Sequence, residues 1–533
     1  MMPKKIISGF FCLFLSIGVV LAQNHLPRFE QIDVLHYIFQ LELSDENDII
    51  KGKANVTIHF LKDSDAFALD LASKTSTNAG MEVSTVLENG QAVSFRQADD
   101  QLIIEPLDQA LKGSTRNYTI AYEGEPQDGL IIAKNKFGDR TFFGDNWPDR
   151  AHYWLPTVDH PSDKATVEFI VIAPEHYQVV ANGEQFEETN LEDGTKLTHW
   201  KEAVPLPTKV MVIGVARFAV QLAGYSHDTP VTSWIYPQDR EAGFDDYSLA
   251  VRVLDYYTEK IGAYPYEKLA NVQSKTRYGG MENAGNIFYY EGSVTGKKDH
   301  EALIAHEIVH QWFGNSASEL SWHHVWLSEG FATYLTDLYF EDLEGAAVFT
   351  ERMQSERNQV IRYARQNPVP IVNTEIEDYN ELLNPNSYQK GGWVLHMLRH
   401  KLGKEIFWKG IRMYYDKYKF SNALTSDFQA AMEEASGQDL EAFFRQWIFR
   451  AGHPVLKDSW KQKNGTLEIA IIQTQEGAPF FFPLEVEITF EDGTTTVTSF
   501  QVDTATESFE LPARNKVTGI RLDPGCKLLF EED

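Results

Sequence analysis

The chain has 533 residues, 43% of them hydrophobic and 23% charged, which suits a globular protein of several domains and excludes a fibrous or disordered one. Its 77 acidic against 48 basic residues give a formal net charge of −29. That balance excludes nucleic acid and anionic membrane surfaces as partners, because both are bound by clustered Lys and Arg.

Residues 1–22 read as a targeting segment: Lys4 and Lys5, an apolar run from Ile6 to about Val19, and Val20-Leu21-Ala22 before Gln23 as a small-residue cleavage site. Export to a periplasm or to the extracellular space is the expectation. Of the two cysteines, Cys12 lies in this segment and Cys526 has no second thiol to pair with. No disulfide framework and no cysteine-based metal or nucleophile site is therefore expected.

Residues 23–224 are expected to form an N-terminal antiparallel β domain. Asn55–Phe60 and Ala165–Ile172 alternate apolar and polar residues, and Asn89-Gly90, Asn182-Gly183 and Asp193-Gly194 supply turns. Residues 225–453 change to helical spacing, with segments at Asp246–Ile261, Glu301–Phe313, Glu329–Phe340, Gly391–Leu402, Lys404–Lys417, Thr425–Ala435 and Leu440–Phe449. Gly452-His453-Pro454 ends the helical run. Residues 454–533 return to alternating strands at Leu467–Ile472, Leu484–Phe490 and Thr495–Val502, separated by Asn464-Gly465 and Asp492-Gly493. They read as a small C-terminal β-sandwich. The fold class is thus multidomain α+β.

The chemistry concentrates in His306-Glu307-Ile308-Val309-His310. Residues four apart share one helical face, so both imidazoles can reach one ion. Glu307 falls beside that ion rather than on it, where it can take a proton from a water molecule. Glu329 follows His310 after 18 intervening residues, room for a loop and a second helix. Two His and one carboxylate leave a fourth position open, as a catalytic zinc requires. His323 and His324 are adjacent and cannot easily face the same ion, so they read as bystanders.

This motif and spacing, with Gly279-Gly280-Met281-Glu282-Asn283 before it and Val325–Ala332 around Glu329, resemble the gluzincin aminopeptidase family of aminopeptidase N and leukotriene hydrolase. The resemblance extends over most of the chain. It implies a thermolysin-like, mostly α-helical catalytic domain and one zinc ion per chain on His306, His310 and Glu329. The implied activity is removal of the N-terminal residue from peptides. It further implies that Glu307 is the general base, that Tyr388 donates to the developing oxyanion, and that Glu282 binds the substrate's free α-amine. Gly279, Gly280, Met281 and Asn283 would complete the substrate strand, with Met281 bordering the first side-chain pocket. Three positions depart from the family pattern. Gly280 stands where Ala is commoner, Ser328 where Asn is usual, and Trp147 where the β domain usually offers a second acid or amide to the amine. Either Asp145 or a cation–π face of Trp147 could take that place.

Overall fold

The computed structural model describes residues 30–75 and 79–533. The expected targeting segment, with Cys12, lies outside the described residues.

Alternation along the first strands builds the N-terminal domain. In Ile32–Glu42, Tyr37, Phe39 and Leu41 are buried; in Lys164–Pro174, Ala165, Val167, Phe169, Val171 and Ala173 are. Each such strand offers one apolar face to a common core. Eight strands form the main sheet. At Asn89-Gly90 and, in the C-terminal domain, at Asn464-Gly465, both residues have positive φ. Each pair closes a two-residue hairpin, the turn geometry that matches strand twist. The main sheet is antiparallel as expected except at one place. Ile32–Glu42 lies parallel to Lys164–Pro174, with His36 opposite Thr166 and Glu42 opposite Ile172. The intervening strands carry the chain across, which a parallel neighbour needs and a hairpin cannot supply.

The middle region is not purely helical. It contains a five-stranded sheet in the spatial order Ala219–Ser226, Thr229–Ile235, Leu269–Ser274, Asn286–Tyr290, Gly280–Met281. Leu269–Ser274 is buried along its whole length although half of it is polar, so it shows no alternation to read. Asn271, Gln273 and Ser274 survive burial because each is hydrogen-bonded, Gln273 for example to Asp239, Glu291 and Tyr236. Helix Trp326–Glu344 runs through the centre, buried on every side from Trp326 to Phe340. A further long helix, Ala346–Gln366, covers it, burying Phe349, Met353 and Val360. The sequence reading omitted this helix.

The C-terminal strands form two facing sheets of four and three strands, whose apolar core is continuous with that of the helices. Trp447 meets Phe480 across that junction at 5.3 Å between ring centroids. The N-terminal domain is tied to the middle region by buried charges. Lys209 Nζ lies 2.5 Å from Glu319 Oε1, both side chains at most 1% exposed. Lys164 Nζ donates to the carbonyls of Asn315 and Ser316, directly after the His306–His310 segment.

Candidate metal centre

The helix Glu301–Val309 has an apolar back, with Ile304, Ala305, Ile308 and Val309 in the core. Its front carries Leu303, His306 and Glu307 into a cavity of about 270 Å³. His310 follows the last helical residue but keeps right-handed helical angles, φ −56° and ψ −23°, so the four-residue spacing still places both imidazoles on one side. Their Nε2 atoms are 3.1 Å apart. Glu329 comes from the first turn of Trp326–Glu344, with Oε2 at 3.5 Å from His306 Nε2 and 3.4 Å from His310 Nε2.

Three ligand atoms thus form a triangle with edges of 3.1–3.5 Å. A tetrahedral zinc with bonds of about 2.0–2.2 Å has ligand edges of about 3.4 Å. Glu329 Oε2 is buried and has no hydrogen-bond partner, a costly state unless a cation meets it. The residues therefore fit a divalent ion. Glu282, Glu307 and His310 make a second convergent set, but it shares His310 with the first and belongs to the same site. His323 and His324 are spent elsewhere, on the Ile376 carbonyl and on Thr425 Oγ1.

Neighbouring groups aim the His310 ring. Its Nδ1 lies 3.1 Å from the Phe313 carbonyl and 3.0 Å from Ser328 Oγ. Donation from Nδ1–H to that carbonyl leaves the Nε2 lone pair for an ion. Gly314 makes this contact possible. It has φ +117°, and a Cβ there would stand 2.2 Å from Ser328 Oγ, so only glycine fits.

The local field is strongly negative. Burial opposes a charge on His310, yet Glu329, Glu282 and Glu307 together push its pKa up to about 10. Burial would raise Glu329, but the His310 charge first and the close approach of both imidazoles hold it well below the usual carboxylate range. Glu307 is raised well above that range, chiefly by burial and further by Glu282 and Glu329, with His310 opposing. Burial likewise raises Glu282. The Tyr388 phenol is also raised well above its ordinary value, by burial and then by Glu329, Glu282 and Glu307. It remains a neutral donor near pH 7. Tyr388 stacks on His306 at 6.0 Å between ring centroids, held by the helical turn Asn386–Lys390 that leads into helix Gly391–Leu402.

Gly279, Gly280, Met281 and Glu282 form the opposite wall. Gly280–Met281 is an edge strand paired with Phe288 and Tyr289. A Cβ on Gly280 would stand 2.4 Å from Glu307 Oε1; the missing side chain is the space the carboxylate fills. The Glu282 carbonyl accepts from Gln311 Nε2 and Asn315 Nδ2, while its Oε1 is buried without a partner. Asn283 is fully buried and does not line the cavity.

Asp145 is not available to the cavity. Its carboxylate takes Arg150 Nη2 at 2.6 Å and the backbone N–H of Arg277, and Trp147 lines the cavity instead. The sequence reading weighed Asp145 without its partner, the arginine five residues on. It also missed Gln311 and Asn315 as clamps. Their position just after the motif was the only signal, and their contacts with Glu282 depend on tertiary structure.

The Peptidase family M1 domain matches residues 246–447, and the Peptidase M1 N-terminal domain matches residues 34–210. The chain belongs to peptidase family M1. Among curated relatives of this M1 chain, probable aminopeptidase 2 of Sulfurisphaera tokodaii is 26% identical over 447 residues, covering 80% of this chain and 54% of that protein. Glutamyl aminopeptidase of Homo sapiens is 29% identical over 327 residues, 58% of this chain and 34% of the relative. Aminopeptidase M1-A of Oryza sativa is 29% identical over 347 residues, with 62% and 38% covered. The M1 chain spans about half or less of the length of these relatives.

Proposed function

We propose that this chain is an exported, zinc-dependent aminopeptidase that removes the first residue from peptides with a free N-terminus. The observation that carries this reading is the His306–His310–Glu329 triangle beside Glu282, whose Oε1 is buried without a partner, in one cavity. The names of the relatives support the same activity, and the basic and apolar character of residues 1–22 supports export. His306, His310 and Glu329 would hold one zinc ion, which when bound polarises the scissile carbonyl and acidifies water.

The chain's own residues supply the rest. Glu282 pairs with the substrate's ammonium and so sets the distance from the chain end to the cut. The free edge of Gly280–Met281 aligns the substrate backbone as an added strand, with no side chain at 279 or 280 to hold it off. Glu307 accepts a proton from the attacking water and passes it to the leaving amine. Tyr388 donates its phenolic hydrogen to the oxygen on which negative charge develops.

Peptides and aminoacyl amides with free and N-acetylated ends, each with and without a chelator, test the reading. The expected result is release of the first residue from free-ended substrates only, lost with chelation and restored by zinc. Equal cleavage of acetylated peptides would instead indicate an endopeptidase. Tyr388→Phe is expected to lower kcat by about 10²–10³, the cost typical of losing one oxyanion donor. Elemental analysis should show its zinc content unchanged, because Tyr388 stacks on His306 without ligating.

A further inference from the structure

The polar lining of the cavity is already engaged: Glu282 by the amine, and His306, Glu307, His310, Glu329 and Tyr388 by the reaction. The remaining walls are Trp147, Tyr278, Met281, Leu303 and Leu383. Leu303 lies three residues before His306 on the same helical face, and its Cδ1 is 3.7 Å from where a Cβ on Gly279 would stand. Trp147 is set edge-on to Tyr278 and to Trp322, at 6.2 Å and 5.3 Å between ring centroids. Met281 is 2% exposed. These side chains offer mainly apolar surface; the Tyr278 hydroxyl and the Trp147 indole N–H are their only polar groups, and none of them is a cation.

The nearby cations do not change this. Arg150 lies against the Tyr278 ring, at 5.9 Å from its centroid, but it is 7% exposed and bound to Asp145. Arg277 is bound to Asp128, and Lys209 to Glu319. None of the three lines the cavity.

We infer that the cavity selects peptides whose first side chain is apolar and of leucine to phenylalanine size, and refuses those beginning with Asp or Glu. This deepens the aminopeptidase reading and rests on it. An acidic first side chain would lose its hydration against these walls with no basic side chain to neutralise it, and it would face three carboxylates. An apolar one gains by leaving water. The volume of about 270 Å³ lies just below the usual range of ligand pockets, about 300 to 1,000 Å³, so it suits one side chain with its adjoining backbone.

The test measures kcat/KM on peptides identical except for a first residue of Leu, Met, Phe, Asp or Glu. Calorimetry with free leucine and free glutamate gives a second readout that does not need turnover. The expected result is that leucine exceeds glutamate more than tenfold in both. Leu303→Arg, which places a cation on the wall, should then shift the ratio at least tenfold towards glutamate. Comparable rates for Glu and Leu peptides, or glutamate binding as tightly as leucine, would overturn the inference and leave the aminopeptidase reading intact. If no peptide is shortened, the aminopeptidase reading falls, and the calorimetric ratio alone decides the chemistry of the cavity.

Discussion

Glu307→Gln is expected to lower kcat by about 10²–10⁴, the range a positioned general base supplies, while bound zinc stays at the wild-type level. The substitution keeps shape and removes only the ability to accept a proton. The Glu307 side chain occupies the space left by the absent Gly280 side chain, and glutamine, of equal length, fills it in the same way. The three groups assigned to zinc are untouched. His310 keeps its hydrogen bond to Phe313 and its contact with Ser328, and Glu329 keeps its place in the first turn of its helix. Substrate affinity should change little, since Glu282 and the glycine strand remain. Turnover at the wild-type rate would move the base role to another group and dismantle the mechanism proposed above. Loss of zinc together with activity would show instead that Glu307 takes part in holding the ion.

The outline of this centre was legible because it rests on local geometry. His306 and His310 share a face by helical spacing, and the apolar residues between them mark a helix half sunk in a core. Contacts made across the chain were not legible. Ser328 meets His310 only because Gly314 turns the chain with positive φ, and nothing local announces that meeting. The inner strands of the five-stranded sheet, Leu269–Ser274 and Asn286–Tyr290, escaped for another reason. Fully buried strands have no wet face and therefore no alternation, and Leu269–Ser274 carries polar residues inside through hydrogen bonds to distant partners. The helix Ala346–Gln366 is a different case. Phe349, Met353 and Val360 recur at helical intervals, so its pattern is present in the sequence. Asp145 shows how a plausible acid is diverted. Arg150 lies five residues on, yet only the folded turn shows that the pair closes on itself and leaves Trp147 facing the cavity.

Lys209→Met is expected to destabilise the protein by about 3–5 kcal/mol, the usual cost of stranding one member of a buried ion pair. Met keeps the length and the apolar stem of Lys209, so packing is largely conserved and the loss is electrostatic. Glu319 would be left at 0% side-chain exposure, with Oε2 already lacking a partner. Lys164 also feels the Glu319 charge, but its ammonium is held by the carbonyls of Asn315 and Ser316. Thermal unfolding should therefore begin at a clearly lower temperature in the single variant. The double variant Lys209→Met with Glu319→Gln should recover most of the loss, because it removes the stranded charge along with its partner. A single variant as stable as the parent would mean that water reaches Glu319. The pair also bears on the cavity. Lys209 Nζ sits 5.2 Å from the Trp322 ring centroid, and Trp322 supports Trp147 at the cavity wall. The single variant should accordingly raise KM more than it lowers kcat, since the groups assigned to the reaction stand on other elements.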